Sequence, residues 1–380
     1  MDAVEQIPVK EPNPTSKRKT DSSLSRILKF SAVRMVSLIV SVVIAIFLTI
    51  LIANMGGYVD RIRLGEIREG VMQFVNNNQA YRTLSNDERI AKADELVATK
   101  AHAQGLDRPL LVRTIAYMKS AMTLDFGQAL QMTSNSGSKQ VRLIVLERLP
   151  PTLLLWGTSG FLLFFVELFV ALSISRKYGS FLDKLVVAMA PFSTTPAWFF
   201  GIFLILIFAS FFHLLPFGGM VDAPVPETFL GYTLSLLKHM ILPVMALTLS
   251  STFLRIYQWR TFFLIYSSED YVDMAKAKGL TSRDIERRYI MRPTLPNIIT
   301  AFALTLIGLW IGGPILETVF NWPGLGRAFY QAVQFYDTPV ILAETVIYAY
   351  LLVITVFLLE YIYALVDPRV KIGDGGGIKT

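Results

Sequence analysis

Very few side chains in this sequence could carry chemistry. The 380 residues include 3 His and no Cys, which excludes thiol catalysis, Cys-ligated zinc, iron–sulfur clusters and a disulfide framework. His102 lies in a polar segment, His213 and His239 stand at opposite ends of a loop, and none has clustered carboxylates around it in the sequence. They are expected to be surface or interface residues, with no metal bound. A Gly-x-x-x-x-Gly-Lys-[Ser/Thr] phosphate loop is absent, so the chain has no Walker-type cradle of its own for ATP. Glu167 remains, in the middle of the apolar run Thr152 to Ile174. A carboxylate there is costly unless it faces water, a cation or another helix. Two readings stay open: a group in a translocation pathway, especially for a cationic solute, or a protonated or hydrogen-bonded Glu that fixes helix packing. Glu344 and Glu360 lie nearer the ends of the run Val340 to Leu365, and Arg255 follows another run. Interfacial snorkelling or pairing accounts for these three.

The elements that would position these groups are membrane helices. The chain is 53% hydrophobic and 17% charged, with a mean hydropathy of +0.48, on the membrane side of globular usage. The expected fold class is an all-α membrane protein with six transmembrane helices: Met35 to Met55, Thr152 to Ile174, Leu185 to Phe212, Leu236 to Leu254, Asn297 to Leu316 and Val340 to Leu365. The first run is too long for the core of a signal peptide and no small-residue cleavage site follows it, so it reads as a retained helix. Pro191, Pro196 and Pro243 can kink helices and free carbonyls inside a bundle. Residues 1–34 form a basic tail, residues 56–148 have the composition of a mostly helical soluble insertion, and residues 367–380 form a short tail. Ser85 with Glu88 three residues on resembles a capping box, and Gly105 suits the end of that helix. The connections at 176–184 and 255–292 are basic, whereas those at 213–234 and 312–339 hold almost no Lys or Arg. The positive-inside rule then places both termini in the cytoplasm, and a long insertion can lie outside despite its charges. The net charge of +7 is expected to reflect loops near anionic lipid and not a nucleic-acid partner.

The most ordered polar stretch is the basic island from Arg255 to Pro296 within the core 149–366. Ser267 or Ser268 can cap a short helix through Lys278, with Glu269, Asp270 and Asp273 near its N-terminus and Lys276 and Lys278 near its end. Gly279 suits the turn that follows. Thr281 and Asp284 offer a second cap, and Arg283, Arg287, Arg288 and Arg292 stud the next helix until Pro293 and Pro296 end or kink it. The small face of Ala275 and Ala277 could approach a partner closely. An interfacial segment whose arginines bind lipid headgroups fits the same residues.

Ala275-Lys276-Ala277-Lys278-Gly279-Leu280, with Leu295-Pro296 further on, resembles the EAA loop of ABC importer permeases, in the form seen in the dipeptide, oligopeptide and nickel family. Asp273 stands where the general motif has Glu, Met274 replaces its first Ala, and the spacing to Leu295-Pro296 is longer than in the general motif. Glu317-Thr318-Val319-Phe320-Asn321-Trp322-Pro323-Gly324-Leu325-Gly326-Arg327, after Gly312-Gly313, looks like the same family's signature beyond the fifth helix. Pro323, Gly324 and Gly326 demand a tight turn, and Phe320 and Trp322 suit a membrane interface. The turn reads as a structural lining of the outer mouth of a pathway, with direct substrate contact as the other reading, and a simple packed re-entrant turn is compatible with the same residues. Gly105-Leu106-Asp107-Arg108-Pro109, Leu124-Asp125-Phe126-Gly127, Arg148-Leu149-Pro150 and Asp367-Pro368-Arg369 extend the similarity from Gly105 to Arg369. A Pro-Gly-Asp-Pro-like element after the first helix is missing, and Asn54-Met55-Gly56-Gly57 stands there.

The resemblance implies an importer permease of the type I form in the cell (inner) membrane. It implies that Tyr271, Asp273, Ala275, Ala277, Gly279 and Leu280 dock an ATPase and that Glu167, Glu317 and Trp322 are candidates for the pathway. Implied partners are a second homologous permease forming a heterodimer, two ATPase subunits that carry ATP and Mg, and an extracytoplasmic solute-binding protein that delivers a peptide. This chain then holds no cofactor and is no enzyme. Oligosaccharide or nickel cargo on the same machine is one alternative, and an ion-coupled carrier or channel using Glu167 is another.

Overall fold

A hydrocarbon environment leaves backbone polar groups no partner but each other, so long apolar runs must close their hydrogen bonds within helices. The computed structural model describes residues 23–366 except 56, 82–83, 104 and 311, and its named elements among these are helical. The tails 1–22 and 367–380, with Asp367-Pro368-Arg369, lie outside the described residues, as does the side chain of Glu360.

Helix α1 (Ser23–Met55) buries Val42, Ile46 and Ile50, one face at four-residue spacing, and leaves Ile39, Val40, Ile44 and Leu48 exposed. Three helices follow: α2 (Tyr58–Asn77), α3 (Asn86–Ala103) and α4 (Leu110–Met122). The capping box forms as expected before α3: the Ser85 N–H donates to the Glu88 carboxylate at 2.8 Å, and the Glu88 N–H donates to Ser85 Oγ at 3.4 Å. The Ser85 donors hold the Glu88 carboxyl below its ordinary range. At the other end Gly105 adopts φ +69, with Gly105 N–H on His102 O and Leu106 N–H on Ala101 O, the paired bonds of a Schellman cap. Helices α2 and α3 form a hairpin around Val71, Val75 and Ala93, joined by Arg68–Asp94 at 2.9 Å. Helix α4 instead packs against the buried face of α1 through Tyr117, Met118 and Ala121.

Helix α5 (Val141–Ser175) starts inside the expected insertion and carries Pro150 and Pro151 within it. Next come α6 (Phe181–Met189), a 3-10 turn at Ala190–Thr194, α7 (Ala197–Leu204) and a π-helical stretch at Ile205–Phe211. The expected single span Leu185 to Phe212 is thus broken, its halves bent by 98°. The cause is local: Pro196 forces Thr195 into extended backbone at φ −77, ψ 134. Helix α8 (Phe229–Ser267) continues 13 residues past the expected end at Leu254. The polar loop therefore narrows to α9 (Asp270–Ala277), α10 (Ser282–Ile285) and a π-helical stretch Glu286–Met291 leading into α11 (Arg292–Gly308). Pro293 and Pro296 both lie within the continuous helical run Ser282–Gly308, Pro293 just after its π-helical stretch. Neither proline ends a helix.

The expected span Asn297 to Leu316 also stops early. Helix α11 ends at Gly308, and α12 (Pro314–Val319) and α13 (Leu325–Gln334) precede α14 (Thr338–Val366). The Trp310 indole donates to Thr355 Oγ1 at 2.7 Å. At 1.5 Å per residue Thr355 lies about 25 Å along α14, so the chain after α11 turns back within the bundle. Among the described residues five helices are long and apolar enough to cross a membrane, six if the bent pair counts as one crossing. Helices α5 and α8 form the hub, through Phe164, Leu168, Ala171 and Leu172 against Ile256 and Phe263.

A staple the sequence did not reveal joins the turn end to this bundle. Asp337 is fully buried before α14 and accepts the backbone N–H groups of Leu130, Gln131 and Met132 at 3.1, 2.9 and 2.9 Å. Asp337→Ala would leave three donors unpaired, at about 1–3 kcal/mol for each that stays dry. The expected result is new protease cleavage between residues 124 and 140 in the purified protein, with α8 and α11 still resistant.

Candidate functional site

The loop end is built around a small core of its own. Val272 and Ala275 on α9 face Ile285 on α10, with Leu280, Tyr289 and Ile290 closing around them. Neither Ser267 nor Ser268 caps α9, because α8 runs through Ser267 and Ser268 ends it. Glu269 occupies the cap position instead, without a side-chain hydrogen bond. Asp270 and Asp273 sit in the first turn, where a helix favours negative charge, and Asp273 meets Lys276 at 2.7 Å. Gly279 takes φ +75, and its N–H donates to Lys276 O at 2.9 Å. Thr281 caps α10 as expected, accepting from Asp284 N–H at 3.2 Å.

The predicted docking residues therefore divide. Ala275 is turned inward and buried, so no small-residue face of Ala275 with Ala277 exists; Leu280 is also drawn into the loop core. Tyr271, Asp273, Ala277 and Gly279 remain on the outside, together with Met274 at 60% exposure. Sequence reasoning missed Met274, an exposed apolar side chain between Tyr271 and Lys278 on one helical face. Tyr271 stacks on Tyr289 with ring centroids 6.4 Å apart. Partial burial, with Glu269 close by, pushes its phenol above the ordinary range, which leaves it neutral at physiological pH.

One charged contact ties this loop to the end of α5, and another joins α8 to α6. Arg176, just past α5, reaches Glu286 at 2.8 Å. Arg260 of α8 makes a two-pronged pair with Asp183 of α6, Nε on one oxygen and Nη2 on the other, and lies over the Tyr178 ring at 5.0 Å. The Asp183 carboxylate also accepts Gly179 N–H at 2.8 Å. Neither residue was singled out from sequence, because 77 positions separate them. Removing one partner strands the other, and for a buried pair that costs roughly 3–5 kcal/mol. Arg260→Ala is expected to lower the melting temperature of the solubilised protein clearly, while Arg260→Lys, which keeps charge but not the fork, recovers part of it.

At the turn end the structure locks Glu317 and Trp322 inside. Glu317 is fully buried on α12 and accepts from Trp156 Nε1 at 2.9 Å, Thr152 Oγ1 at 3.3 Å and Arg327 N–H at 3.0 Å. Thr152 Oγ1 in turn accepts Leu325 N–H at 2.7 Å. Trp322 is fully buried and its indole donates to Pro151 O at 2.9 Å. Both pathway candidates thus hold the turn onto α5 in this conformation. Gly324 is required by space: a Cβ there would lie 2.4 Å from Glu317 Oε2 and from Thr152 Oγ1. Gly324→Ala is therefore expected to reduce the yield of folded protein severely, as read by size-exclusion chromatography.

Glu167 is buried between α5 and α8, where Thr252 Oγ1 donates to it at 3.0 Å and Arg255 Nη1 lies 3.8 Å away. Arg255 is thus paired, as one reading anticipated. His239 departs from expectation: it is buried on α8, with Nδ1 2.8 Å from Ser235 O and Nε2 3.9 Å from Asp222. Glu344 lies near the start of α14, as expected, but departs from the expected snorkelling or pairing: it is 8% exposed and its Oε1 has no hydrogen-bond partner. No group of three or more potential ligands for a metal occurs among the described residues.

The family model described as binding-protein-dependent transport system inner membrane component matches residues 167–372. A protein of Brucella suis biovar 1 (strain 1330), named provisionally as a peptide permease, is 30% identical over 274 residues, covering 70% of this chain and 82% of its own. The dipeptide transport system permease protein DppB of Bacillus subtilis (strain 168) is 28% identical over 273 residues, covering 71% and 82%. A solved structure of the MetNI methionine ABC transporter in inward-facing conformations matches 59% of this chain and 96% of that chain, with 18% identity and a TM-score of 0.45. On the family match and its extent, this multi-pass membrane chain belongs to the binding-protein-dependent transport system inner membrane components, the permease subunits of ABC importers.

Proposed function

We propose that this chain is one of two related permeases forming the pathway of a peptide importer. In this reading both termini and the loop 268–291 lie in the cytoplasm of the cell that carries it in its (inner) membrane. The α2–α3 hairpin and the turn 312–327 face outside, where a solute-binding protein delivers the peptide. Two ATPase subunits holding ATP and Mg dock on the loop and supply the energy. The observation that carries the reading is the build of α9. It is a short helix with an exposed Tyr271–Met274–Lys278 face and a core shared with the α10–α11 segment, which Arg176 at the end of α5 meets at Glu286. A push on that face would be transmitted to the spans as a shift between two packed states, driven by the difference in nucleotide affinity between them. The names of the relatives, which speak of peptides and dipeptides, support the cargo class.

The test is reconstitution of the complete transporter in vesicles, with ATP-driven uptake of a labelled di- or tripeptide added with the binding protein. Uptake of nickel or an oligosaccharide in place of peptide would move the assignment to those cargoes, and uptake without any ATPase subunit would favour the ion-coupled reading. Asp273→Arg reverses a charge in the first turn of α9 at a helix-dipole cost of only about 0.3–1 kcal/mol. It is expected to weaken ATPase co-purification while leaving membrane insertion unchanged.

A further inference from the structure

Glu344 lines a cavity of about 220 Å³ together with Trp310, Pro314, Leu325, Phe329 and Tyr348. The cavity lies where α11 breaks, between α12, α13 and α14. Its walls are otherwise overwhelmingly apolar, and Glu344 Oε1 is buried with no hydrogen-bond partner. A buried carboxylate normally collects donors, as Glu317 and Asp337 both do in this molecule. Glu344 has none to its Oε1, although Arg148 is close enough for its field to reach it. No ion pair joins the two among the described residues, and Arg148 Nε is itself buried and unpartnered. Glu317 adds a second negative field from the turn.

Apart from the Arg148 guanidinium, whose positive field opposes a cation, the features of this space favour one kind of visitor. An acceptor without a donor calls for a group bearing N–H. A second nearby carboxylate favours a cation. Trp310, Phe329 and Tyr348 offer faces that attract a desolvated ammonium and surfaces that bury an attached apolar side chain. The position is also suitable, because Glu344 lies six residues into α14, about 9 Å from its start at the turn end. We infer that the Glu344 cavity is a transient binding site for the protonated amino end of the cargo, taking its α-ammonium on the carboxylate and its first side chain among the aromatics. The inference rests on the peptide reading and deepens it: the permease itself would contribute to selecting cargo with a free amino terminus.

The experiment uses the complete reconstituted transporter and a dipeptide whose first residue is photo-leucine, in free-amine and Nα-acetylated forms. After illumination the cross-linked permease peptides are mapped by mass spectrometry, and uptake is measured in parallel. The free-amine probe is expected to label Leu325, Phe329 or Tyr348. Glu344→Gln, which keeps the shape and removes the charge, should lower that labelling and free-amine uptake at least about tenfold, as expected for a lost charged hydrogen bond. Assembly with the ATPase subunits should be unchanged. Unaltered labelling and uptake in Glu344→Gln would overturn the site. So would an equal loss for the acetylated probe, which would show that Glu344 holds the bundle together, with Arg148 as its partner in another state. If the wild-type transporter takes up neither peptide while ATP hydrolysis responds to another cargo, the peptide reading itself has failed and the site falls with it.

Discussion

Glu317→Ala is expected to leave little folded protein. The carboxylate is fully buried and accepts three donors from α5 and the start of α13. Truncation strands the Trp156 indole, the Thr152 hydroxyl and the Arg327 N–H around a new void, for a loss of roughly 3–5 kcal/mol. That is a large part of the margin of an ordinary domain. Glu317→Gln separates charge from shape, because its carbonyl can serve Trp156 and Thr152 while its NH2 group meets the Arg327 N–H donor to donor. It should fall between wild type and Ala in melting temperature, with new proteolysis confined to the turn at 309–327. An Ala variant that melts with wild type would show that the network is not what holds the turn.

Gly279→Pro should have the opposite pattern, intact folding with lost coupling. Gly279 sits at φ +75 and its N–H closes the end of α9 on Lys276. Proline fixes φ near −65° and has no N–H, so the turn that folds α9 back onto Ile285 cannot form. Helices α8 and α11 lie outside that turn, so membrane insertion should persist. In the reconstituted complex, cargo-stimulated ATP hydrolysis and uptake are expected to fall about tenfold or more, the scale set by losing one well-packed contact helix. Gly279→Ala should fall between, since an L residue in the left-handed region costs about 1–2 kcal/mol. Normal stimulated hydrolysis in the Gly279→Pro complex would count heavily against α9 as the coupling element.

The local features were legible because their causes are local. The capping box at Ser85 and Glu88, the Thr281 cap and the turns at Gly105 and Gly279 depend on residues within about five positions of each other. Apolar runs marked the spans for the same reason. Their ends were less legible: α8 runs on to Ser267 because residues 256–266 pack on α5 and on the α10–α11 segment, which hydropathy does not register. The 98° break was foreshadowed by Pro191 and Pro196, but its angle depends on what the two halves pack against.

Side-chain roles split along the same line. From composition and spacing alone the chain is an all-helical membrane protein with a structured polar loop and a tight Trp-Pro-Gly turn, and with no phosphate loop or cysteine chemistry. Those properties follow from transfer energies and backbone preferences that act residue by residue. Tertiary structure alone decided that Ala275 faces inward, that Glu317 and Trp322 are locked, and that Asp183 meets Arg260 and Asp337 meets residues 130–132. It also decided that Glu344 stands unpartnered in an apolar cavity. A buried charge is defined by what surrounds it, and Glu317, Asp183 and Asp337 draw partners from chain segments far away in sequence.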